Sequence, residues 1–216
     1  MISKKIYVYQ TILLIAGILI SAFGMMMLIK AEMGQSTVSG ISYNIGAITG
    51  LKTGTVVSII NYICFAGQII ILRSEFKIFQ FVQLAVTALF GTVLNFYLYN
   101  IPYILHLDLN NYAIRLCVLV TGIIFMSFGV SLMIIADLTI LPFEGFCKIL
   151  SQKLKKSFGS VRVCVDITFI IMSFAIIVLF KIPNTTIREG TVIYSILCGS
   201  MVNVFTKQIK RLPSAL

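Results

Sequence analysis

The stretch FGMMMLIKAEMG, residues 23–34, has a counterpart 105 positions later, where residues 128–139 read FGVSLMIIADLT. The match runs without a gap from Phe23–Asn61 onto Phe128–Asp166. The identical pairs include Phe23/Phe128, Gly24/Gly129, Ala31/Ala136, Gly40/Gly145, Gly54/Gly159 and Val56/Val161. Most of them are Gly, Ala or Phe rather than the abundant Leu and Ile, so the match indicates an internal repeat.

Polar and small residues also match across this repeat. The matched polar pairs are Asn61/Asp166 and, after three more residues of shift, Asn95/Asn203. Two glycine pairs, interpreted as sites where helices pack closely, are Gly24/Gly129 and Gly91/Gly199. Small residues let helix backbones approach each other inside a membrane. The repeat therefore predicts two halves with the same internal contacts.

Hydrophobic residues make up 59% of the 216-residue chain and charged residues only 11%. A soluble domain of this size cannot bury so much apolar surface, so lipid is the expected partner. Six apolar runs approach the length of about 20 residues that a membrane-spanning helix needs. They cover residues 6–30, 56–72, 78–99, 114–136, 161–180 and 190–206, the second and last being short. Three spans per half is an odd number, so the second half enters the membrane inverted.

The Lys and Arg residues are distributed asymmetrically between the ends of these runs. With a cytoplasmic N-terminus, twelve of the 17 lie inside: Lys4, Lys5, Arg73, Lys77, Lys148, Lys153, Lys155, Lys156, Arg162, Lys207, Lys210 and Arg211. The other five lie outside: Lys30, Lys52, Arg115, Lys181 and Arg188. The positive-inside rule then predicts a multi-pass protein with both termini cytoplasmic.

Each half carries a short helical segment after its first span. Ser36–Thr49 starts with capping residues and ends before Gly50, while its counterpart starts at Pro142 and places Phe143, Phe146, Leu150 and Leu154 on one stripe. Two interpretations stay open. Each segment is either an amphipathic helix at the interface or a re-entrant helix with its N-terminus toward the midplane, where the helix dipole attracts anions.

Ionisable residues at membrane depth need a partner or a wet cavity. Arg162 and Asp166 lie four residues apart on one helix face. They form either a structural ion pair or a site in which Arg162 binds an anionic substrate and Asp166 takes a proton or cation. The residues proposed for substrate binding are Ser36, Ser39, Asn61, Asn95, Glu144, Arg162, Asp166 and Asn203.

The chain lacks the motifs of common enzymes, with no GxSxG, HExxH or P-loop. The five cysteines also contain no CxxC pair that could hold a metal. From these absences together we expect no catalytic residue, no metal site and no cofactor. The basic residues form no single face, so nucleic acid is not an expected partner. His106, beside Asp108 in an outer loop, is expected to be solvated.

Three motifs resemble a known family: ADL followed by LPFEGF (residues 136–146), FGSVRVCVD (158–166) and EGTVIYSILCG (189–199). The chain is similar to the YczE/YyaS/YitT group of bacterial integral membrane proteins from Phe23 to Val204. It departs from that group's repeated motif, because AEMGQST lacks the proline and ADLTILP lacks the glycine. The resemblance implies a bacterial plasma-membrane protein.

The sequence thus predicts an all-α membrane domain over residues 1–216, with repeat 1 at about 6–100 and repeat 2 at about 111–209. The leading hypothesis is a transporter of a small molecule or ion, with its site between the repeats. The alternatives are the substrate-capture subunit of a vitamin-type importer, or a non-transporting scaffold or regulator. Six helices form a thin wall around a cavity, which favours a homodimer.

Overall fold

The computed structural model describes residues 2–102, 109 and 111–211. The α-helices of these residues are α1 (Ile2–Ala31), α2 (Thr37–Thr49), α3 (Thr53–Leu72), α4 (Val82–Tyr99), α5 (Tyr112–Ala136), α6 (Pro142–Leu154), α7 (Phe158–Phe180) and α8 (Glu189–Arg211). Two short 3-10 turns, Arg73–Glu75 and Ile78–Phe81, connect α3 to α4. His106 lies outside the described residues.

Six of these helices are long and apolar enough to cross a membrane: α1, α3, α4, α5, α7 and α8. The prediction of an all-α membrane protein with six spans and two short helices is confirmed. The second and last apolar runs are short, but the helices that contain them are not. Polar residues extend both helices, because α3 already begins at Thr53 and α8 continues through Lys207 to Arg211.

The first helices of the two halves, α1 and α5, form the centre of the fold. A Cβ atom at Gly24 would lie 2.4 Å from the backbone nitrogen of Met126, and one at Gly129 would lie 2.4 Å from that of Ser21. The two backbones are therefore in direct contact at both glycines, as the repeat predicts. The larger hydrophobic cluster surrounds this contact and is built mainly from α1, α4 and α5.

The two short helices are inserted between the long ones instead of lying on the surface. Residues of α2 and α6 share the second hydrophobic cluster with α3, and α7 packs against it. The N-terminus of each short helix meets the ninth residue of a long one, Asp166 in α7 or Asn61 in α3. Eight residues of α-helix span about 12 Å, so each short helix starts well inside the length of a spanning helix, and we interpret both as re-entrant.

Local sequence accounts for the ends of the short helices. Ser36 caps α2, its side chain accepting a hydrogen bond from the backbone nitrogen of Ser39. Gly50 follows the last turn of α2 with a φ of 75°, a left-handed conformation that glycine adopts without strain. Pro142 occupies the first turn of α6, where its missing N–H has no intrahelical partner to lose.

Candidate functional site

A cluster of charged residues joins α6, α7 and the start of α2. Arg162 Nε lies 3.2 Å from Asp166 Oδ2, and Arg162 Nη1 lies 3.5 Å from Glu144 Oε1. The other oxygen of Asp166, Oδ1, accepts a hydrogen bond of 2.5 Å from the Thr37 hydroxyl. The guanidinium carbon of Arg162 stands 4.6 Å from the ring centre of Phe143, which is buried. Arg162 is thus held by two carboxylates and one aromatic face.

With both carboxylates ionised, this cluster has one more negative than positive charge. One guanidinium faces two carboxylates, and Glu144 Oε2 is buried without a hydrogen-bond partner among the described residues. The side chains of Arg162, Asp166 and Glu144 are 27%, 26% and 35% exposed, so solvent screens them only in part. An unpaired charge at membrane depth is costly, and a proton or monovalent cation would neutralise this one.

Asn61 and Asp166, the pair matched by the repeat, each hold the short helix of the opposite half. Asn61 is 3% exposed, and its Oδ1 accepts a 3.1 Å hydrogen bond from the backbone N–H of Phe143 at the start of α6. Asp166 accepts the Thr37 hydroxyl at the start of α2. The two repeats are therefore joined by reciprocal contacts at the N-termini of their re-entrant helices.

Ser36 and Ser39 lie beside this cluster, within the first turn of α2. Ser36 is 5% exposed and Ser39 is fully buried, and their hydroxyl oxygens are 2.8 Å apart. The structure therefore brings together six of the eight residues proposed from the sequence: Ser36, Ser39, Asn61, Glu144, Arg162 and Asp166.

Asn95 lies apart from the charged cluster, at the contact between α3 and α4. Its Oδ1 accepts a 2.8 Å hydrogen bond from the backbone N–H of Gly54, and its Nδ2 donates a 3.0 Å bond to Thr55. A Cβ atom at Gly91 would lie 2.0 Å from Ser58 Oγ and 2.5 Å from the carbonyl oxygen of Gly54. Glycine is required here because the two helices touch backbone to backbone.

The matched contact between α7 and α8 is open. A Cβ atom at Gly159 or Gly199 would meet no atom within 4 Å, so the prediction of close packing is wrong for Gly199. Asn203 is exposed and bonds to no other described residue, whereas its counterpart Asn95 holds Gly54. Instead α8 stays against α5, where the Ser127 hydroxyl approaches the carbonyl of Cys198 at 3.4 Å.

The position of Arg162 in the second repeat is occupied by a different type of residue in the first repeat. A shift of 105 residues places Arg162 on Val57, which is 1% exposed inside the larger hydrophobic cluster beneath α4. Where α3 and α4 are in contact, this position is apolar and buried. Where α7 and α8 are apart, it carries the guanidinium. Closing the second pair like the first would remove Arg162 from solvent.

Sequence reasoning missed three polar or aromatic side chains of this region. Gln68 Nε2 donates a 2.8 Å hydrogen bond to the carbonyl of Pro142 and a 3.0 Å hydrogen bond to Gln83 Oε1. Phe143 was interpreted only as part of an apolar stripe, and Gln35 was not noticed in its short loop. A polar residue in an apolar run is a usable signal for Gln68, since membrane interiors hold few of them.

Fold and site define a polytopic all-α membrane protein of two inverted repeats, each with a re-entrant helix that meets a polar residue of the other half. Residues 8–207 match the DUF6198 family, described as a family of unknown function, and the chain belongs to this family. No curated protein and no solved structure matches the chain.

Proposed function

We propose that this protein is a transporter of a small molecule or ion that works by alternating access. The observation that carries the proposal is that two matched helix pairs adopt opposite arrangements. The α3–α4 pair is closed at Gly54 and Gly91, and the α7–α8 pair is open at Gly159 and Gly199. In transporters built from inverted repeats, one half moves against the other around a central site. An exchange of the two arrangements would open the other face.

The distribution of basic residues indicates which side of the membrane the open helix pair faces. With both termini in the cytoplasm of a bacterial cell, as the positive-inside rule and the likeness to the YczE/YyaS/YitT group favour, the open α7–α8 end faces inward. The closed α3–α4 end then faces outward, sealed by the Asn95–Gly54 hydrogen bond and by a 2.9 Å contact between the Thr53 and Tyr99 hydroxyl groups.

The charged cluster would couple closure of the α7–α8 pair to the binding of a proton or cation. Closing α8 over α7 would bury Arg162 as deeply as Val57 is buried in the first repeat, and a buried charge requires compensation. With both carboxylates ionised, the cluster keeps one excess negative charge. We propose that closure occurs when Glu144 holds a proton or a cation neutralises it. The guanidinium can also bind an anionic group of the substrate, in which case closure requires one further proton or cation.

The test is a current measurement on purified protein in proteoliposomes under an imposed pH gradient, with a panel of small carboxylates, phosphates and amines. At least one class is expected to evoke a current that Glu144→Gln and Arg162→Ala abolish without loss of the folded protein. Unchanged currents in both variants would refute the role of the cluster. A silent wild-type protein across the whole panel would count against transport.

A further inference from the structure

A small polar cavity lies at the start of α2, next to the charged cluster, with which it shares Thr37. It has a volume of about 10 Å³ and is lined by residues of α2, α7 and the loop before α8. The lining residues on which the argument depends are Gln35, Thr37, Gly40, Ser173 and Thr186. About 10–15 Å³ of such space holds one water molecule, so the occupant has the size of a single atom or ion.

Gln35 is the feature of this cavity that calls for a ligand. Its side chain is 1% exposed, and neither Oε1 nor Nε2 has a hydrogen-bond partner in the described part of the chain. Its backbone is held in place, because the N–H of Gln35 donates a 3.1 Å hydrogen bond to the carbonyl of Thr186. A buried amide left unpaired lowers the stability of the folded protein. An occupant that accepts hydrogen bonds from Nε2 would satisfy the donor side of this amide.

Two of the groups around the cavity have hydrogens that no acceptor among the described residues takes. The Gln35 amide offers two N–H groups, and Ser173 Oγ already accepts a 2.7 Å bond from Asn44, which leaves its own hydrogen free. The cavity also lies at the N-terminus of a 13-residue helix, where the dipole is positive. This combination favours an atom that carries negative charge.

The corresponding place at the start of α6 is filled by a side chain. Gln68 fills it, with Nε2 bonded to the Pro142 carbonyl at 2.8 Å and the amide packed where a Cβ at Gly145 would lie. A shift of 105 residues places Gln68 on Ser173 and Gly145 on Gly40. The shorter Ser173 side chain therefore leaves the α2 N-terminus with space that α6 lacks.

We infer that this cavity binds one small anionic atom, either a halide or one oxygen of a carboxylate, through Gln35 and the first turn of α2. The sequence alone allowed such a site at both short helices, and the structure leaves only α2 open. The inference does not depend on the proposed function, because binding can be measured without flux.

The experiment is thermal unfolding of the purified protein in detergent at constant sodium concentration, with fluoride, chloride or formate replacing gluconate, which is too large for the cavity. A saturable rise in the unfolding temperature is expected for at least one small anion. A response to fluoride or chloride alone identifies a halide site, and a response to formate identifies a carboxylate site. Equal unfolding temperatures in all four salts would overturn the inference and leave a water-filled cavity.

Two variants connect the effect to this cavity. Gly40→Ala places a methyl group inside it, 3.5 Å from Thr186 Cβ, which is an ordinary contact. Gln35→Leu removes the unpaired amide. Each is expected to weaken anion affinity at least tenfold, whereas Gly159→Ala, in open surroundings, keeps the wild-type response. If Gly40→Ala and Gln35→Leu both retain the full shift, the anion binds elsewhere and the inference fails.

Discussion

A leucine at Gly199 is expected to stop transport without harming the fold. In this state no atom lies within 4 Å of a Cβ at Gly199, so Gly199→Leu fits and gains up to about 1 kcal/mol of helix propensity. In the alternate state α8 would touch α7 as α4 now touches α3, and there a Cβ at Gly91 already lies 2.0 Å from Ser58 Oγ. The leucine would hold the two helices apart.

Gly91→Leu is the matched variant with the opposite expectation. Its Cβ would lie 2.5 Å from the carbonyl oxygen of Gly54, about 1 Å inside ordinary contact, so α3 and α4 must separate and Asn95 must release Gly54. Such overpacking costs about 1–3 kcal/mol. Thermal unfolding and flux in proteoliposomes separate the two variants. Gly199→Leu should unfold at or above the wild-type temperature with flux reduced at least tenfold, and wild-type flux in that variant would refute alternate closure.

Three further predictions concern stability. Asn61→Ala leaves the start of α6 without its acceptor and should lower the free energy of unfolding by about 1–3 kcal/mol. An unchanged free energy of unfolding would contradict the importance of the reciprocal contacts. Gly24→Val places a side chain 2.4 Å from the Met126 nitrogen and should yield no monodisperse protein in size-exclusion chromatography, whereas Gly159→Ala should elute like the wild type. Because protonation of Glu144 neutralises the cluster, wild-type stability should rise relative to Glu144→Gln as pH falls toward mildly acidic values, and parallel pH profiles of the two proteins would contradict this.

The sequence predicted the arrangement of helices well because the repeat and the apolar runs are local or periodic patterns. Ser36 and Pro142 marked the starts of the short helices correctly. The repeat also singled out Asn61 and Asp166 as partners in role. That each contacts the first turn of the other half's short helix could not be predicted, because those hydrogen bonds join residues 82 and 129 positions apart.

The different packing of the last two helices in the two halves could not be predicted from the sequence either. Gly91 and Gly199 are equivalent in the repeat, yet one is at a backbone contact and the other faces open space. Repeated residues predict which contacts each half can form, but the state that the molecule adopts decides which of them exist. Gln35 was missed for a simpler reason, since one polar residue in a loop resembles a solvated one until its burial is known.

Spin-label distances across the two helix pairs test alternating closure most directly. In a background without other cysteines, one label pair would replace the exposed Val163 and Val204 in α7 and α8, and a second pair the exposed Ile59 and Thr92 in α3 and α4. We predict a long α7–α8 distance with a short α3–α4 distance, and the reverse in a second population that Arg162→Val, which copies the first repeat, enriches. A single unchanged distance for each pair, in wild type and variant alike, would contradict the account.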